Sequence, residues 1–216
     1  MAYVVTDTGA SRSFPGSHPF IEGASARGEI AVIVGEGVGA AFGALHDADR
    51  YDAVLIELGT ECLGVHTGER AGREGGNVLG FARYRLGDSP PTNLVELVKQ
   101  PGTRSGSLEA AKGLLEAAGF VVSVCNDFPG RILDRLLRPY FNAVLRRLDE
   151  KLATAEDLDT TLRLGLGYPE GPVSLLERTG LAAHHDVTRA LYESLADSAF
   201  APARRAIVAK AREGKP

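Results

Sequence analysis

Six short runs rich in valine and isoleucine fall within the first 125 residues, and none follows. They are "YVVT" (3–6), "IAVIV" (30–34), "AVLIE" (53–57), "VLGFARY" (78–84), "NLVELV" (93–98) and "FVVSVC" (120–125). Runs this short, dense in β-branched residues and bounded by glycine, predict strands rather than helices. Between the last two lies "SLEAAKGLLEAAG", which predicts a helix opened by a serine and closed at Gly119. Strand, helix, strand is the rhythm of an α/β layer.

Past residue 126 the period changes. Ile132, Leu133, Leu136, Leu137, Tyr140, Phe141, Val144, Leu145, Leu148 and Leu152 recur at three- and four-residue steps. They predict a helix over 129–152 whose apolar stripe covers one side and part of its flanks. Pro139 lies inside it, has no N–H to donate, and predicts a kink. Thr154 and Asp157 stand in capping-box-like spacing at the start of another helix. "VSLLERTG", "LAAHHDVTRALYESLADS" and "APARRAIVAKAR" supply the rest, about five helices in all, with fraying expected from Glu213. The chain thus divides into an α/β domain, 1–125, and an all-helical domain, 126–216.

Composition excludes several functions. A formal net charge of -4 over 216 residues gives no broad attraction for nucleic acid or an anionic membrane. The N-terminus lacks the pattern of a signal peptide, and no apolar stretch approaches the roughly 20 residues of a spanning helix. Cys62 and Cys125 are too few for a disulfide framework, so a reducing cytoplasm is the expected location. Adjacent His184 and His185 point to different sides of a helix, and no metal site is expected.

One motif suggests a dinucleotide. "IAVIVGEGVGAAFG" runs from a strand into Gly35, Gly37 and Ala40 as G-x-G-x-x-A, and Glu57 follows Gly37 by twenty residues. In such a loop, glycine N–H groups approach a pyrophosphate and the acid takes a ribose hydroxyl. The alternative is a plain tight turn, since Glu36 puts a negative charge in the loop and "ALHDADRYD" makes a poor helix.

A second stretch carries a more specific signal. It holds Asp127, Pro129, Gly130 and Arg135, then Pro139-Tyr140 and Asn142, Ala153-Thr154, and Glu156-Asp157-Leu158-Asp159. Leu164-Gly165, Gly167, Pro169, Gly171-Pro172 and Gly180-Leu181 complete it. In this order they resemble the C-terminal domain of the 3-hydroxyacyl-CoA dehydrogenases, and "VLGFARYRLGDSPPTNLVELV" is similar, more faintly, to the preceding part. The resemblance implies a reduced Rossmann-like domain followed by a helical 6-phosphogluconate-dehydrogenase-like domain. It further implies NAD as cofactor, an acyl-CoA-type ligand and a homodimer formed through the helical domain. The residues ahead of the match are too few for the family's full dinucleotide domain.

By the same resemblance, a histidine removes the substrate's hydroxyl proton, a glutamate orients it, and a serine and an asparagine bond the substrate oxygen. The glutamate falls on Glu96. The histidine's place falls on Ala82, or on Tyr84 with a shifted alignment, the serine's on Glu61 and the asparagine's on Asp134. Alanine accepts no proton, and ionised Asp134 donates no hydrogen bond. His66 and Tyr84 are the candidates for a replacement base, and Arg83 or Arg85 for an ion-pair partner of Glu96. Arg131 stands where the family has an apolar residue. Three functions follow: a dehydrogenase with a relocated base, a non-catalytic member binding an acyl-CoA-like ligand or partner, or another enzyme using Glu61, Glu96 and Asp134. The second is favoured over the first, and the third trails.

Overall fold

A computed structural model describes residues 1–214. The fraying expected from Glu213 onward falls largely on residues 215–216, outside the described residues. Two compact units form, one from residues 1–85 with 91–131, the other from 86–90 with the described residues from Ile132 onward. The division lies at 131/132, later than residue 126, because the Asp-Phe-Pro-Gly turn is tied to the loops of the sheet. Asp127 accepts the N–H groups of Leu63 and Gly64, at 2.6 and 2.9 Å, and Gly130 donates its own to Thr60.

The first unit is one six-stranded sheet: β1 (Tyr3–Asp7), β2 (Ile30–Val34), β3 (Ala53–Glu57), β4 (Val78–Arg83), β5 (Leu94–Lys99) and β6 (Val121–Asn126). Each strand matches a predicted run to within one residue at either end. The strands lie in chain order, β1 to β4 parallel, β5 antiparallel to β4, and β6 parallel to β5. Short helices α1 (Pro19–Glu22), α2 (Val38–Gly43) and α3 (Gly64–Thr67) occupy the connections, and α4 (Ser105–Ala117) precedes β6. β2 and β3 are buried along their whole length, as strands covered on both faces must be.

One face packs Val32, Leu55, Phe81 and Leu97 on α4 and on a cluster of Phe14, Phe20 and Phe120. The other packs Ile33, Ile56 and Val98 with Val38 and Leu63. Helix α4 begins two residues earlier than expected, so Ser107 is buried inside it and Arg104 precedes it without a side-chain cap. Its end matches the expectation. Gly119, at φ +87°, donates to Glu116 while Phe120 donates to Leu115, the paired closure that a left-handed residue permits.

The second unit holds α5 (Leu133–Asp149), α6 (Ala155–Leu166), α7 (Pro172–Thr179), α8 (Leu181–Leu195) and α9 (Arg204–Arg212). Helix α5 continues through Pro139 without interruption. Thr154 caps α6 as expected, accepting from the Asp157 N–H at 3.1 Å. Asp159 reaches from α6 to cap α7, accepting the N–H groups of Val173 and Ser174. Among the described residues no helix is long and apolar enough to cross a membrane, and no group of three or more ligating side chains could hold a metal ion.

Candidate functional site

The glycine loop has the expected strand, turn and helix, but the N–H groups of Gly35 and Gly37 are already engaged. Gly35 donates to Glu57 Oε2 at 2.7 Å, and Gly37 donates to Thr8 Oγ1 at 3.0 Å. Gly35 holds φ +100°, and a side chain there would meet the Gly9 carbonyl at 2.8 Å, so only glycine fits. Glu57 is buried and its other oxygen accepts from Ser11 Oγ and the Ser13 N–H, at 2.9 and 2.6 Å. Its carboxylate therefore staples the segment after β1 to the loop after β2. Ala40 lies in α2, only six residues long, whose dipole is weak. As folded, the Gly35 and Gly37 N–H groups are not offered to a pyrophosphate, and the buried Glu57 carboxylate is bonded to the protein's own donors.

Strand order bears on the same point. A dinucleotide sits in the crevice where the order of a doubly wound sheet reverses. Among the described strands the order runs from β1 to β6 without reversal.

Glu96 lies in mid-β5, buried, and its register partner on β4 is Ala82. Register partners in an antiparallel pair place their side chains side by side on one face. The residue beside this carboxylate is thus an alanine. Arg83, one of the expected ion-pair partners, alternates to the opposite face. There it donates to the Ser13, Thr92 and Pro91 carbonyls and lies over Phe14 and Phe120. Arg85, the other, supplies its carbonyl to Arg12. A cation that sequence reasoning did not assign to Glu96 stands beside it: Arg131, with Nε 3.5 Å from Oε2. The nearby Cys125 thiol is pushed up to about 11, first by burial and then by Glu96, so it is no nucleophile at neutral pH.

Glu61, in the loop after β3, accepts from the Gly59 N–H at 3.0 Å and lies 3.4 Å from His66 Nε2. This carboxylate and imidazole line up as a pair, outside the sheet interior. Tyr84 follows β4 and is half-buried, its backbone bonded to Leu94 and Thr92.

Asp134 is in the helical unit and is no surface acid. It is buried and accepts from Arg138 Nε at 2.7 Å. Arg138, fully buried, also points Nη1 at His184 Nδ1, 3.1 Å away. Arginine only donates, so that ring nitrogen accepts and the proton sits on Nε2. Nε2 then donates to Asn142 Oδ1 at 3.0 Å, and the Asn142 amide donates to the Ala199 and Ala201 carbonyls. Burial, then Arg138 and His185, push the His184 pKa down to about 3, which keeps the ring neutral. Sequence reasoning singled out Asp134 but missed Arg138 and His184. For Arg138 a signal was present, since residues 134, 138 and 142 sit at i, i+4 and i+8 on one helix face.

Fold and site together define a class, an α/β sheet of Rossmann-like kind carrying a buried carboxylate, followed by a helical unit. Residues 130–215 match the family described as "3-hydroxyacyl-CoA dehydrogenase, C-terminal domain". That stretch is therefore similar to the C-terminal domain of 3-hydroxyacyl-CoA dehydrogenases. It is 34% identical over 113 residues to the 3-hydroxybutyryl-CoA dehydrogenase of Bradyrhizobium diazoefficiens, covering 52% of this chain and 39% of that one. Against the mitochondrial hydroxyacyl-coenzyme A dehydrogenase of Homo sapiens it is 34% identical over 129 residues, 58% and 41% of the two lengths. The chain therefore matches well under half the length of these relatives.

Among solved structures, the (S)-3-hydroxybutyryl-CoA dehydrogenase of Ralstonia eutropha superposes with a TM-score of 0.70 at 22% identity, covering 86% of this chain and 66% of that one. The Escherichia coli 3-hydroxybutyryl-CoA dehydrogenase gives 0.70 at 22%, covering 85% and 39%. These two likenesses establish the fold.

Proposed function

We propose that this chain binds an acyl thioester of the coenzyme A type and does not perform the hydride transfer of its family. The observation that carries this reading is Glu96, whose register partner is Ala82 and beside which Arg131 stands. A dehydrogenase needs a base near neutral pKa within reach of the substrate hydroxyl. Guanidinium never gives up its proton in proteins, so Arg131 cannot be that base, and Ala82 beside Glu96 offers no proton acceptor. The glycine loop supports the same reading, because its Gly35 and Gly37 N–H groups are already bonded to Glu57 and Thr8 and are not free for a pyrophosphate.

Calorimetry with acetoacetyl-CoA, beside an absorbance assay with NADH, tests the proposal. Saturable binding of acetoacetyl-CoA is expected, with no consumption of NADH and no NADH binding at millimolar concentration. Steady NADH oxidation would overturn it and turn attention to His66, whose pairing with Glu61 is the observation that favours a relocated base.

The helical unit is proposed to pair with a second copy. Helix α6 buries none of its side chains, and Leu164, at 74% exposure, lies on it with exposed Leu166, near Leu152 in sequence. Large apolar side chains left this exposed suit an interaction surface, and a homodimer closes through the same surface on both copies. Light scattering is expected to give a dimer for the native chain and a monomer for Leu164→Glu. A monomeric native chain would refute the pairing.

A further inference from the structure

The structure assigns to His18 the role of an acid-released latch on the segment that joins β1 to β2. The latch needs no ligand and goes beyond the acyl-thioester reading. His18 stands just before α1, and its Nδ1 accepts the Phe20 N–H at 3.1 Å. A nitrogen that accepts carries no proton, so the ring is the neutral tautomer with its proton on Nε2. The same ring stacks on Phe120, 5.6 Å between centroids and 15° from parallel, and meets Phe14 in a T-shaped contact at 5.1 Å. Phe14, Phe20 and Phe120 are all buried in the core of the first unit. One imidazole thus ties the start of α1 to the aromatic cluster that seats the segment.

A proton undoes both attachments. On Nδ1 it would face the Phe20 N–H, donor against donor. The stack suffers as well, because the Arg83 guanidinium already lies over Phe14 and Phe120, at 5.2 and 5.1 Å. A charged His18 would be a second cation against the same two rings. Arg83 on β4 and Glu22 on α1 are the charged groups that act on the ring. Glu22 is exposed, accepts from Ser17 Oγ, and offers the charged ring a partner on the solvent side. The two states are a neutral ring stacked on Phe120 and a charged ring turned outward to Glu22.

Burial, and after it Arg83, hold the His18 pKa below its ordinary value, against the opposing pull of Glu22. With the latch open, the ring titrates near the ordinary histidine value of about 6.5. The closed latch prefers the neutral ring. Its stability is therefore complete above about pH 6.5 and is lost as the pH falls through the lower closed-state value. Two contacts limit the release. Tyr3 donates its hydroxyl to the Phe20 carbonyl at 2.6 Å, and the Glu57 carboxylate holds Ser11 and Ser13 at the far end of the segment. Neither contact involves the imidazole, so acid loosens the start of α1 and leaves the rest seated.

Nuclear magnetic resonance of the native chain between pH 7.5 and pH 5.0 tests the latch, following the His18 ring and amide exchange at Phe20 and Ser13. His18 is expected to titrate below the ordinary histidine value. The Phe20 protection factor should fall with it by about fivefold, the size of one lost N-cap, while Ser13 keeps its protection. His18→Asn retains an acceptor without a titrating group, so its Phe20 protection should not vary with pH. Glu22→Gln, at an exposed position, removes the outward partner and should move the His18 titration lower still. A His18 titration at or above the ordinary value, constant Phe20 protection in the native chain, or a pH dependence that persists in His18→Asn would each overturn the latch. An unmoved titration in Glu22→Gln would do the same for the outward state. Parallel losses at Phe20 and Ser13 would show acid unfolding of the whole unit in place of a latch. Should His18→Asn fail to fold, the native titration and Glu22→Gln decide.

Discussion

Asp134→Asn is expected to lower the unfolding free energy by about 3–5 kcal/mol, the cost of stripping a buried ion of its partner. Asparagine is what the family resemblance places at this position, so by that light the change is a reversion. In this chain, however, Arg138 is fully buried and takes its countercharge from Asp134 at 2.7 Å. The amide still accepts one bond from Nε but leaves the charge uncompensated. Nη2 of Arg138 already lacks a partner, so no spare acceptor softens the loss. The strain should extend to His184 and Asn142, which hang on the same arginine. Urea unfolding monitored by circular dichroism measures the effect. A change below about 0.5 kcal/mol, as for an exposed acid, would show the pair to be dispensable. The double variant Asp134→Asn with Arg138→Met should recover much of the loss, because removing both charges avoids the penalty of leaving one.

Glu57→Gln is the second large effect, expected at about 2–4 kcal/mol from one donor left facing another in a buried site. The native carboxylate accepts from Ser11, from the Ser13 N–H and from the Gly35 N–H. A glutamine has one acceptor oxygen, so its NH2 must oppose one of these donors. Had Glu57 served a ribose hydroxyl, the substitution would weaken dinucleotide binding and leave stability nearly intact. Thermal unfolding with and without NAD separates the two outcomes. An unchanged melting temperature together with NAD-dependent stabilisation of the native chain alone would sink the structural role and restore the cofactor reading.

The two positions show where sequence reasoning reached and where it stopped. Gly35, Gly37 and Glu57 were legible as a pattern, and the strand, turn and helix they imply are present. Their use was not legible, because it depends on Thr8, Ser11 and Ser13, which are distant in sequence and arrive through the parallel pairing of β1 with β2. Glu96 was likewise found, but assigned to Arg83 or Arg85 by nearness in the chain. Strand alternation turns Arg83 to the opposite face, and Arg131 arrives beside Glu96 from the turn after β6. On α5, an i, i+4 pair of opposite charge such as Asp134 and Arg138 usually lies outside, so its burial leaves no mark in the spacing. Here the same spacing carries the buried side of the helix, and Leu136 lies exposed.

Sequence alone determined the six strands, the helical half, the caps at Thr154 and Gly119, and the family resemblance. These rest on short-range physics: side-chain period, capping and turn geometry act within a few residues and leave their mark in the order of the letters. Tertiary structure alone decided that the glycine loop closes on Glu57 and that Asp134 anchors a buried arginine. It also decided that Glu96 meets a guanidinium in place of a base. The reason is electrostatic: a buried charge must find a partner, and which one it finds is settled by chain crossings that bring residues from distant segments to within a few ångströms.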